Sequence, residues 1–542
     1  MKIIDKTIDD NSVLILEGDR NIYVSDCEKR EYYFSNNDGG LKNIAFLLKD
    51  KKNISLDFHG AKLIFNGRIL PFVIDGCDDV TLKNLTINYD RPFYSQADII
   101  SVSGNSMVIR MDEGFPYKIE NEGLVFTSAT WENDTSDCWV LMQEFDPLTR
   151  SLAIDSVLRI GRFGKNTEKD PLSPLPMVTF TARDLGNNLI ELNGDDDISH
   201  YRAGFKLIMT HEKRECPAIA ITRSKNIKIE NVNIVHAGSM GLIAQLSENI
   251  SITGLNVRLF EGLSCGLVST NCDATHFVNC RGLIRINKSV FNNMMDDGVN
   301  IHGVYTEAVR TEGNCVWLKI MHFQQYGINF YAENDIIAVH ERSTVATRGV
   351  YTVAKSELTA PDIIKVTFKE LPQIEAGDFV DNVSMHPDVI IENTETGFNR
   401  PRGFLLTTNG NVIIRNNVFN SCSYGIHIAG DMTYWFESTG TKNVLIEDNI
   451  FRNNCVQFGD YSIAITPEYE ETTKEEYFHE NIKIRNNKFY SFVPGAVYAK
   501  GVDGLEITGN LLEKSYDYYR KSSAPAVETI NCRNVIIDKN IF

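Results

Sequence analysis

The sequence contains little that would interrupt or cross-link a folded chain. Of its 542 residues only 15 are proline and 23% are charged, which excludes extended disorder and low-complexity linkers. Its 11 cysteines are scattered, odd in number and free of any CxxC pair, so neither a disulfide framework nor a zinc site is expected. No apolar stretch approaches the roughly 18 residues of a membrane-spanning helix. What remains is a long chain whose apolar share of 43% can fill a large core.

Positive charge is also scarce. The chain carries 54 Lys and Arg against 72 Asp and Glu, a net charge of −18, and a binder of nucleic acid or of anionic membranes is excluded because both need a basic surface. The first residues, Met1 to Asp10, lack the apolar run and cleavage site of a secretory signal. The sequence as written predicts a cytoplasmic protein, or a secreted or periplasmic one if a signal has been removed. A homodimer is compatible with the sequence.

A short phrase recurs along the chain: Asn, aliphatic, any residue, aliphatic, polar, Asn and an apolar pair. It reads NVIIRNNVF from Asn411, NIKIRNNKF from Asn481 and NVIIDKNIF from Asn534, and the copies NIKIENVNI from Asn226 and NISITGLNV from Asn249 lie 23 residues apart. Such a period holds one coil of three short strands, with Asn at the corners, where stacked amides can form hydrogen-bonded ladders. We therefore predict an all-β fold built on a right-handed parallel β-helix.

Two intervals lack the repeat and read as independent alternating strands, such as CVWLKI from Cys315 and IIKVTF from Ile363. Both intervals end alike, with Ala203-Gly204 and Ala376-Gly377 at the same relative place. We predict two related small β-barrels inserted at coil corners, because insertions in repeat proteins fall in loops on one face. The predicted domains are N-terminal coils (1–90), a first barrel (91–217), central coils with the active site (218–303), a second barrel (304–387) and C-terminal coils (388–542).

The densest acidic cluster of the predicted helix contains Asp296 and Asp297, in the segment MMDDGVNIHG. Asp273 stands 23 residues before Asp296, one repeat period, so it should face the pair from the neighbouring rung about 4.8 Å away. Three carboxylates so close repel one another, which keeps at least one protonated near neutral pH. A protonated acid beside ionised carboxylates suits glycoside hydrolysis, and neighbouring rungs can give the roughly 6.5–9.5 Å separation of an inverting pair.

Two plainer interpretations of the acidic cluster stay open. Asp297-Gly298 is a residue pair that is common in turns, so the segment could be a turn and nothing more. Clustered carboxylate oxygens at the corner of a repeat also suit a Ca²⁺ ion. Either interpretation would leave the carboxylates without a role in catalysis.

Other polar residues fall near the acidic corner when the glycines of successive coils are aligned, with Gly266 taken as the equivalent of Gly298. His302 lies one strand beyond the cluster, where it could contact a substrate or be a satisfied core histidine. The candidate substrate-binding residues are His302, Asn300, His236, Glu261, His427 and Arg402.

Two further segments stand where they could enter the same groove. Arg400 and Arg402 follow directly on the second insert, and their plainer interpretation is a solvated turn. The aromatic run Tyr434-Trp435-Phe436 could stack on a sugar face or cover the end of a coil.

Several of these segments together resemble glycoside hydrolase family 110. The resemblance rests on STNCDATHF from Ser269, MMDDGVNIHG from Met294, the early text IAFLLKDKKNISLDFHGAKLIF and PFVIDGCDDVTLKNLTINYDRPF, and the two β inserts. It spans nearly the whole chain and implies an inverting exo-α-1,3-galactosidase that removes terminal α-1,3-linked galactose from blood-group-B type and linear αGal glycans. It also implies that Asp296 is the general acid, while Asp273 and Asp297 hold and deprotonate a water molecule.

On this interpretation every carboxylate of the cluster has a role in proton transfer. We therefore expect no catalytic metal and no cofactor. The expected partner is a glycan that ends in α-1,3-linked galactose.

Two alternatives come from other classes. A polygalacturonase-like β-helix also uses Asn-x-Asp followed by Asp-Asp, as in Asn271-Cys-Asp273 and Asp296-Asp297, but here only His302-Gly303 stands for its histidine element and no later Arg-x-Lys is present. The net charge of −18 would also repel a polyuronate. A non-catalytic glycan-binding β-helix would scatter its acids among the coils, whereas three lie in one pair of rungs.

Overall fold

The computed structural model describes residues 9–135, 139–164, 176–211, 214–342, 344–468 and 477–542. Two long parallel sheets run the length of the molecule, and successive coils add one rung to each. This arrangement is a parallel β-helix that carries two inserted β-barrels, which confirms the predicted fold class. Residues 1–8, which form most of the segment behind the localisation prediction, lie outside the described ranges.

The first sheet has 19 strands and forms the long wall of the helix. Its strands are Val13–Ile15, Arg20–Tyr23, Lys52–Asn66, Asp78–Tyr89, Lys225–Ile234, Glu248–Val257, Arg281–Asn287, Val290–Asn292, Asp388–Glu392, Glu395–Gly397, Val412–Arg415, Val418–Asn420, Lys442–Glu447, Ile450–Arg452, His479–Arg485, Lys488–Ser491, Val502–Thr508, Leu511–Lys514 and Arg533–Asp538.

The second sheet has 13 strands. Its strands are Glu28–Tyr32, Gly40–Lys49, Leu70–Asp75, Ile219–Thr222, Leu242–Gln245, Thr275–Val278, Val299–Val304, Arg402–Leu406, Tyr424–Ile428, Glu437–Ser438, Tyr461–Ile465, Gly495–Lys500 and Val527–Ile530.

One coil shows why the repeat folds as it does. The strand Lys225–Ile234 alternates inward aliphatic residues with outward polar ones and pairs in parallel with Glu248–Val257. Asn226 and Asn231 hold positive φ angles of 57° and 52°, a conformation that asparagine tolerates better than most residues, so they bend the chain at the start and in the middle of the strand. The recurring asparagines therefore mark the positions where the chain bends in each coil.

The predicted asparagine ladder is present in the C-terminal coils. The side-chain amide of each member donates to the amide oxygen of the next at 2.9–3.1 Å, through Asn417, Asn449, Asn487, Asn510 and Asn540. Because the ladder is largely buried, this pairing satisfies polar groups that would otherwise cost free energy.

The first inserted domain is a barrel whose ladder closes on itself, because Val140–Asp146 pairs with both Arg159–Phe163 and Lys206–Thr210. Its apolar core is continuous with that of the helix. Its strands are Tyr94–Ser103, Ser106–Met111, Val140–Asp146, Ser151–Leu152, Arg159–Phe163, Met177–Gly186, Leu189–Gly194 and Lys206–Thr210, with a small sheet of Tyr117–Glu120, Gly123–Thr127 and Glu132–Asp134 beside them.

The second inserted domain is a closed six-stranded barrel with a core of its own. Gly204 of the first barrel and Gly377 of the second both have positive φ, and each N–H donates at 2.8 Å to a carbonyl of its barrel's first strand, that of Ile99 or Ala308. This shared turn supports the prediction that the two inserts are related. The strands are Thr306–Glu312, Cys315–Ile320, Ile336–His340, Thr347–Ala360, Ile363–Phe368 and Phe379–Asn382.

Helical structure within the described ranges is confined to the three 3₁₀ turns Val24–Asp26, Phe323–Gln325 and Val383–Met385. The part of the chain that the structure describes contains no helix of the length and apolarity needed to cross a membrane. No disulfide joins the cysteines that the structure describes.

Candidate active site

Three charged residues occupy one column at the start of three consecutive rungs of the second sheet. Thr275 pairs with Val299, and Val299 pairs with Phe404, so the residues two positions earlier, Asp273, Asp297 and Arg402, stack on one another. The repeat is 24 residues long here, as the bond from the Asp297 N–H to Asp273 Oδ1 at 3.1 Å also shows. The predicted 23-residue register between Asp273 and Asp296 was therefore wrong by one residue, and Asp296 lies beside the column instead of within it.

The chain is tightly packed just after the acidic pair. A Cβ atom at Gly298 would lie 2.6 Å from the carbonyl oxygen of Gly403 on the next rung, a distance that real Cβ contacts do not show. Glycine lets the two backbones approach at this corner. The Asp-Asp-Gly segment therefore forms a bend in the chain and also presents two carboxylates.

Asp296 is the most accessible carboxyl of the cluster, with 13% of its side chain exposed against 5% for Asp273 and 1% for Asp297. Its two oxygens accept from Arg214 at 3.1 Å and from Arg400 at 3.2 Å. Burial alone would raise the pKa of Asp296, but Arg400 and Arg214 outweigh it and hold the pKa below its usual value. In the free protein Asp296 is therefore ionised at neutral pH.

Asp297 is clamped by Arg402. Arg402 Nε donates to Asp297 Oδ1 at 2.8 Å and its Nη2 donates to Oδ2 at 2.9 Å, a bidentate pair that fixes the carboxylate plane. Burial raises the pKa of Asp297 to about 7, against the opposing effect of Arg402 and with added repulsion from Asp296 and Asp273.

Asp273 lies against two histidines. Its Oδ2 is 2.5 Å from His276 Nδ1, and His276 Nε2 is 2.9 Å from His302 Nε2. Burial, followed by the charge of Asp296, raises the pKa of Asp273 to about 8. Asp273 is thus a carboxyl of the cluster that stays protonated near neutral pH, as expected for at least one of the three.

One oxygen of each carboxyl lies within 4.8 Å of the others. This is the spacing of the nearest oxygens, whereas the roughly 6.5–9.5 Å of an inverting pair separates the carboxyl groups of acid and base, so the predicted separation stays a prediction. The three acids are Asp273, Asp296 and Asp297. Such a group could also bridge a cation, but three guanidinium groups already pair with it or lie against it. Their charge opposes a Ca²⁺ ion, so the donor set fits arginine-paired acids better than a metal site.

The cluster opens into a cavity of about 680 Å³ with walls from every part of the molecule. The first barrel contributes Leu141 and Ile160, and the second contributes Phe323 and Gln324. Further wall comes from the N-terminal coils, from the segment that ends at Glu437 and from later coils, through Asn36, Asp38, Phe458 and Glu468 among others. The size is typical of a small-ligand site, and walls on several sides make it a pocket instead of an open groove.

The residues of the aromatic run Tyr434-Trp435-Phe436 lie in two different places. Tyr434 and Trp435 line the cavity, whereas Phe436 packs against Phe379 of the second barrel. Asp431 holds the run in place, because its carboxylate accepts the N–H of Trp435 at 2.6 Å.

Three of the predicted substrate-binding residues line the cavity: Asn300, His427 and Arg402. Asn300 Oδ1 and His427 Nδ1 have no hydrogen-bond partner among the described residues, so part of their bonding capacity is unused in the free protein. His427 Nε2 is engaged by Thr466 Oγ1 at 2.5 Å. Arg402 is engaged by Asp297.

The other three predicted contacts do not line the cavity. His302 lies behind His276, with Nδ1 bonded to the carbonyl oxygen of Gly303 at 2.6 Å. His236 accepts the N–H of Phe93 at 3.0 Å and is enclosed by aromatic rings. Both are core histidines, and of their ring nitrogens only His236 Nδ1 lacks a hydrogen-bond partner among the described residues.

Glu261 was misplaced because the glycine alignment fails at Gly266. The rung that follows Leu242 begins at Thr275, 33 residues later, since an extra loop intervenes. The true equivalent of Gly298 is therefore Ala274, and Glu261 is exposed on the loop.

Sequence reasoning missed three cavity residues and underrated a fourth. Arg214 and His276 contact the carboxylates, and Glu437 accepts from Asn300 Nδ2 at 3.4 Å. Arg400, for which a solvated turn was the plainer interpretation, bonds Asp296 instead. The one usable signal was His276, three residues after Asp273 in a segment already singled out.

A second cavity, of about 780 Å³, lies between the ends of the second-sheet strands and the second barrel. Its two buried carboxylates are already satisfied. Asp75 accepts from Arg223 at 2.7 Å and from the Tyr32 hydroxyl at 3.0 Å. Asp335 accepts from the Ala332 N–H at 2.8 Å and from Asn382 Nδ2 at 2.7 Å. Among the described residues that line it, the larger cavity therefore lacks a cluster of adjacent carboxyls like that of the smaller one.

Two segments of the chain match described domains: residues 95–201 match GLAA-B beta-barrel domain I, and residues 315–380 match GLAA-B beta-barrel domain II. The chain is 29% identical over 539 residues to alpha-1,3-galactosidase A of Shewanella woodyi and 30% identical over 546 residues to alpha-1,3-galactosidase B of Bacteroides thetaiotaomicron. Each alignment covers 98% of this chain and 85% of the relative.

Among solved structures, the A-module of mannuronan C-5 epimerase AlgE6 from Azotobacter vinelandii aligns with a TM-score of 0.37 and 9% identity. The alignment covers 97% of this chain and 90% of that one. A similarity of this level has no bearing on function.

The β-helix, the cluster of three acids in a pocket and the relatives together define a glycoside hydrolase. More narrowly, the chain belongs to the family of alpha-1,3-galactosidases A and B, glycoside hydrolase family 110, and it carries both GLAA-B barrel domains.

Proposed function

We propose that the protein is an exo-acting α-1,3-galactosidase that removes terminal α-1,3-linked galactose, from blood-group-B type or linear αGal glycans, with inversion of the anomeric carbon. The observation that carries the proposal is the cluster of Asp273, Asp296 and Asp297 in a walled pocket, in a chain whose relatives are named alpha-1,3-galactosidases. A pocket closed by both barrels suits the last sugar of a glycan better than an internal one.

The proposed general acid is Asp296, because it is the most accessible of the three carboxyls. Arg214 and Arg400 keep it ionised in the free protein, so the proposal requires that a bound galactoside draws these guanidinium groups onto its own hydroxyls. Loss of their charge from a buried carboxyl raises its pKa and lets it hold the proton that the leaving oxygen needs.

The proposed base is the pair Asp273 and Asp297. Both oxygens of Asp297 accept from Arg402, and those of Asp273 face His276 and the Asp297 N–H. Carboxylates held in this way are suited to orienting a water molecule and less suited to attacking carbon, which favours a single displacement over a covalent intermediate.

A polyuronate substrate fits the pocket less well. A uronate would need an unpaired cation, whereas Arg214, Arg400 and Arg402 are each bonded to an acid of the cluster. A neutral sugar can instead share these ion pairs through its hydroxyls.

Proton NMR of the first product tests the proposal directly. An α-1,3-linked galactoside is added to the protein and spectra are taken before mutarotation. We expect β-galactose first, because water attacks the face opposite the departing oxygen. Initial α-galactose would overturn the single displacement, and turnover of an α-galacturonide but of no α-galactoside would overturn the substrate class.

A further inference from the structure

The direction of hydrogen bonding behind the acidic cluster is set by one carbonyl group. His302 Nδ1 lies 2.6 Å from the carbonyl oxygen of Gly303, which can only accept, so Nδ1 carries the hydrogen. Burial lowers the pKa of His302 to about 4, so the ring is neutral and its Nε2 is an acceptor. The nearest facing atom, His276 Nε2 at 2.9 Å, therefore donates, while Glu437 Oε1 lies farther away at 3.5 Å.

This assignment leaves His276 Nδ1 without a hydrogen of its own. Burial, together with Arg214, lowers the pKa of His276 to about 3, so its ring is also neutral and Nδ1 is an acceptor. It nevertheless lies 2.5 Å from Asp273 Oδ2, and two acceptors do not approach so closely unless a proton lies between them.

We propose that His276 is a positioning residue that acts on the attacking water through Asp273, with one proton held between Asp273 Oδ2 and His276 Nδ1 in the free protein. The inference rests on the proposed hydrolysis and deepens it, because it states how a protonated carboxyl can serve as part of a base.

The proposed step moves two protons in sequence. Asp273 Oδ1 takes a proton from the water, whose oxygen bonds to the anomeric carbon while the glycosidic oxygen leaves with its electron pair and the proton of Asp296. As the new O–H bond forms at Oδ1, the proton on Oδ2 passes to His276 Nδ1. Asp273 thus never holds two protons, and the positive charge on His276 appears as Asp296 becomes negative.

The charges around this pair support the exchange. Asp296 favours a charged His276, whereas Arg214 opposes it. The titratable and charged groups that face the pair from neighbouring elements are Arg214, Asp296, Asp297, His302, Arg402 and Glu437. The freshly ionised Asp296 is the group that changes charge during the reaction, so it biases the proton toward His276 at the moment of attack.

The shared proton can be observed without substrate. Proton NMR of the whole protein should show a far-downfield signal that disappears in both His276→Gln and Asp273→Asn. Absence of such a signal from the unsubstituted protein, or its persistence in either variant, would overturn the shared proton. Because this measurement needs no turnover, it stands even if the protein fails to cleave any α-1,3-galactoside, which would refute the proposed function alone.

The transfer to His276 is tested by the pH dependence of kcat/KM. His276→Asn keeps an amide oxygen near the position of Nδ1, and His276→Gln keeps an amide near Nε2, but neither can take up a proton. We expect both to lose at least about tenfold at about pH 6 and to recover much of the loss above about pH 8, where Asp273 ionises by itself.

The control is His479→Gln. His479 is a buried histidine of a later coil that accepts the N–H of Thr441 at 3.1 Å and does not line the cavity. Its substitution should lower stability without moving the pH profile. A His276→Asn profile that matches the unsubstituted protein, or losses that are equal at every pH, would overturn the transfer and leave His276 a structural residue.

Discussion

Arg402 and Asp297 form a bidentate ion pair although 105 residues separate them and the whole second barrel lies between them in the chain. The distances are 2.8 Å from Nε to Oδ1 and 2.9 Å from Nη2 to Oδ2. The pair forms because Val299 and Phe404 lie side by side on adjacent rungs, so the helix resumes in register after the insertion. Order along the helix axis, and not order along the chain, thus brings the acid and its arginine together.

We predict that Arg402→Lys lowers kcat/KM by roughly tenfold to hundredfold, since lysine keeps the charge but loses one of two charge-assisted hydrogen bonds to Asp297. The weaker pairing should raise the pKa of Asp297 further above about 7 and move the acidic limb of the pH profile upward.

The matched control for this variant is Arg415→Lys. Arg415 contacts Glu392 across neighbouring rungs through Nε and Nη2, at 3.0 and 2.9 Å, but its side chain is 45% exposed on the outside of the helix. This control should leave kcat/KM unchanged. Equal activity of Arg402→Lys and Arg415→Lys would mean that Asp297 does not depend on its clamp.

Asp296→Asn should distinguish substrates by their leaving groups. General acids contribute about 10²–10⁴-fold, and their contribution matters most when a sugar alkoxide departs. We expect near-complete loss on a natural α-1,3-linked disaccharide and a much smaller loss on an activated aryl galactoside, measured as kcat/KM for both. Asp297→Asn, which weakens activation of the water, should reduce both alike. If Asp296→Asn lowered kcat/KM by the same factor on both substrates, as is expected for Asp297→Asn, Asp296 would not be the acid.

Asp273→Asn should make stability less dependent on pH. The pKa of Asp273 is about 8 in the folded protein and about 3.9 in an unfolded chain, so between these values the folded state holds a proton that the unfolded chain has lost. The free energy of unfolding therefore falls as pH rises through this window. The variant cannot ionise, and its stability relative to the unsubstituted protein should increase from pH 5 to pH 8 by on the order of 1–3 kcal/mol.

Asp381 provides a control of opposite sign for this measurement. Burial would raise its pKa, but His386, 3.1 Å away, holds the pKa of Asp381 below the usual value. Its ionised form stabilises the fold above the unfolded pKa, and the effect is lost as pH falls through the folded pKa. Asp381→Asn should therefore lower the thermal unfolding temperature at neutral pH. If the stability of both variants, relative to the unsubstituted protein, increased from pH 5 to pH 8, the raised pKa of Asp273 would not explain the effect.

Activity should survive EDTA. Arg214, Arg400 and Arg402 already offset the charge of the acidic cluster, so no divalent cation is needed to hold the carboxylates together. The measurement is turnover before and after dialysis against the chelator. Loss of turnover that Ca²⁺ restores would show that the carboxylates are metal ligands.

Part of the site was predictable because two acids one repeat apart must meet in a β-helix. The spacing placed Asp273 beside the Asp-Asp pair with an error of one residue, since this coil has 24 residues. The same reasoning failed for Glu261, because its own coil carries an extra loop and Gly266 does not mark a corner. Counting repeats works only where the coil length is constant.

Arg214 and Arg400 could not be placed from the sequence. Both reach Asp296 from irregular segments, where no periodicity tells which way a side chain points. His302 could not be distinguished from a substrate contact, because only the position of His276 in front of it determines what it can reach.

Repeat period, strand alternation and turn residues are local features that recur in every coil, so they were enough to predict the parallel β-helix, its two inserted barrels and the meeting of three carboxyls. The carboxyl that holds the proton could be identified only from the folded molecule. That outcome depends on burial and on the distances to Arg214, Arg400, Arg402 and His276, which three separate regions of the chain bring to one cavity. Electrostatic interaction acts through space, and so the protonation of the site follows from the assembled fold.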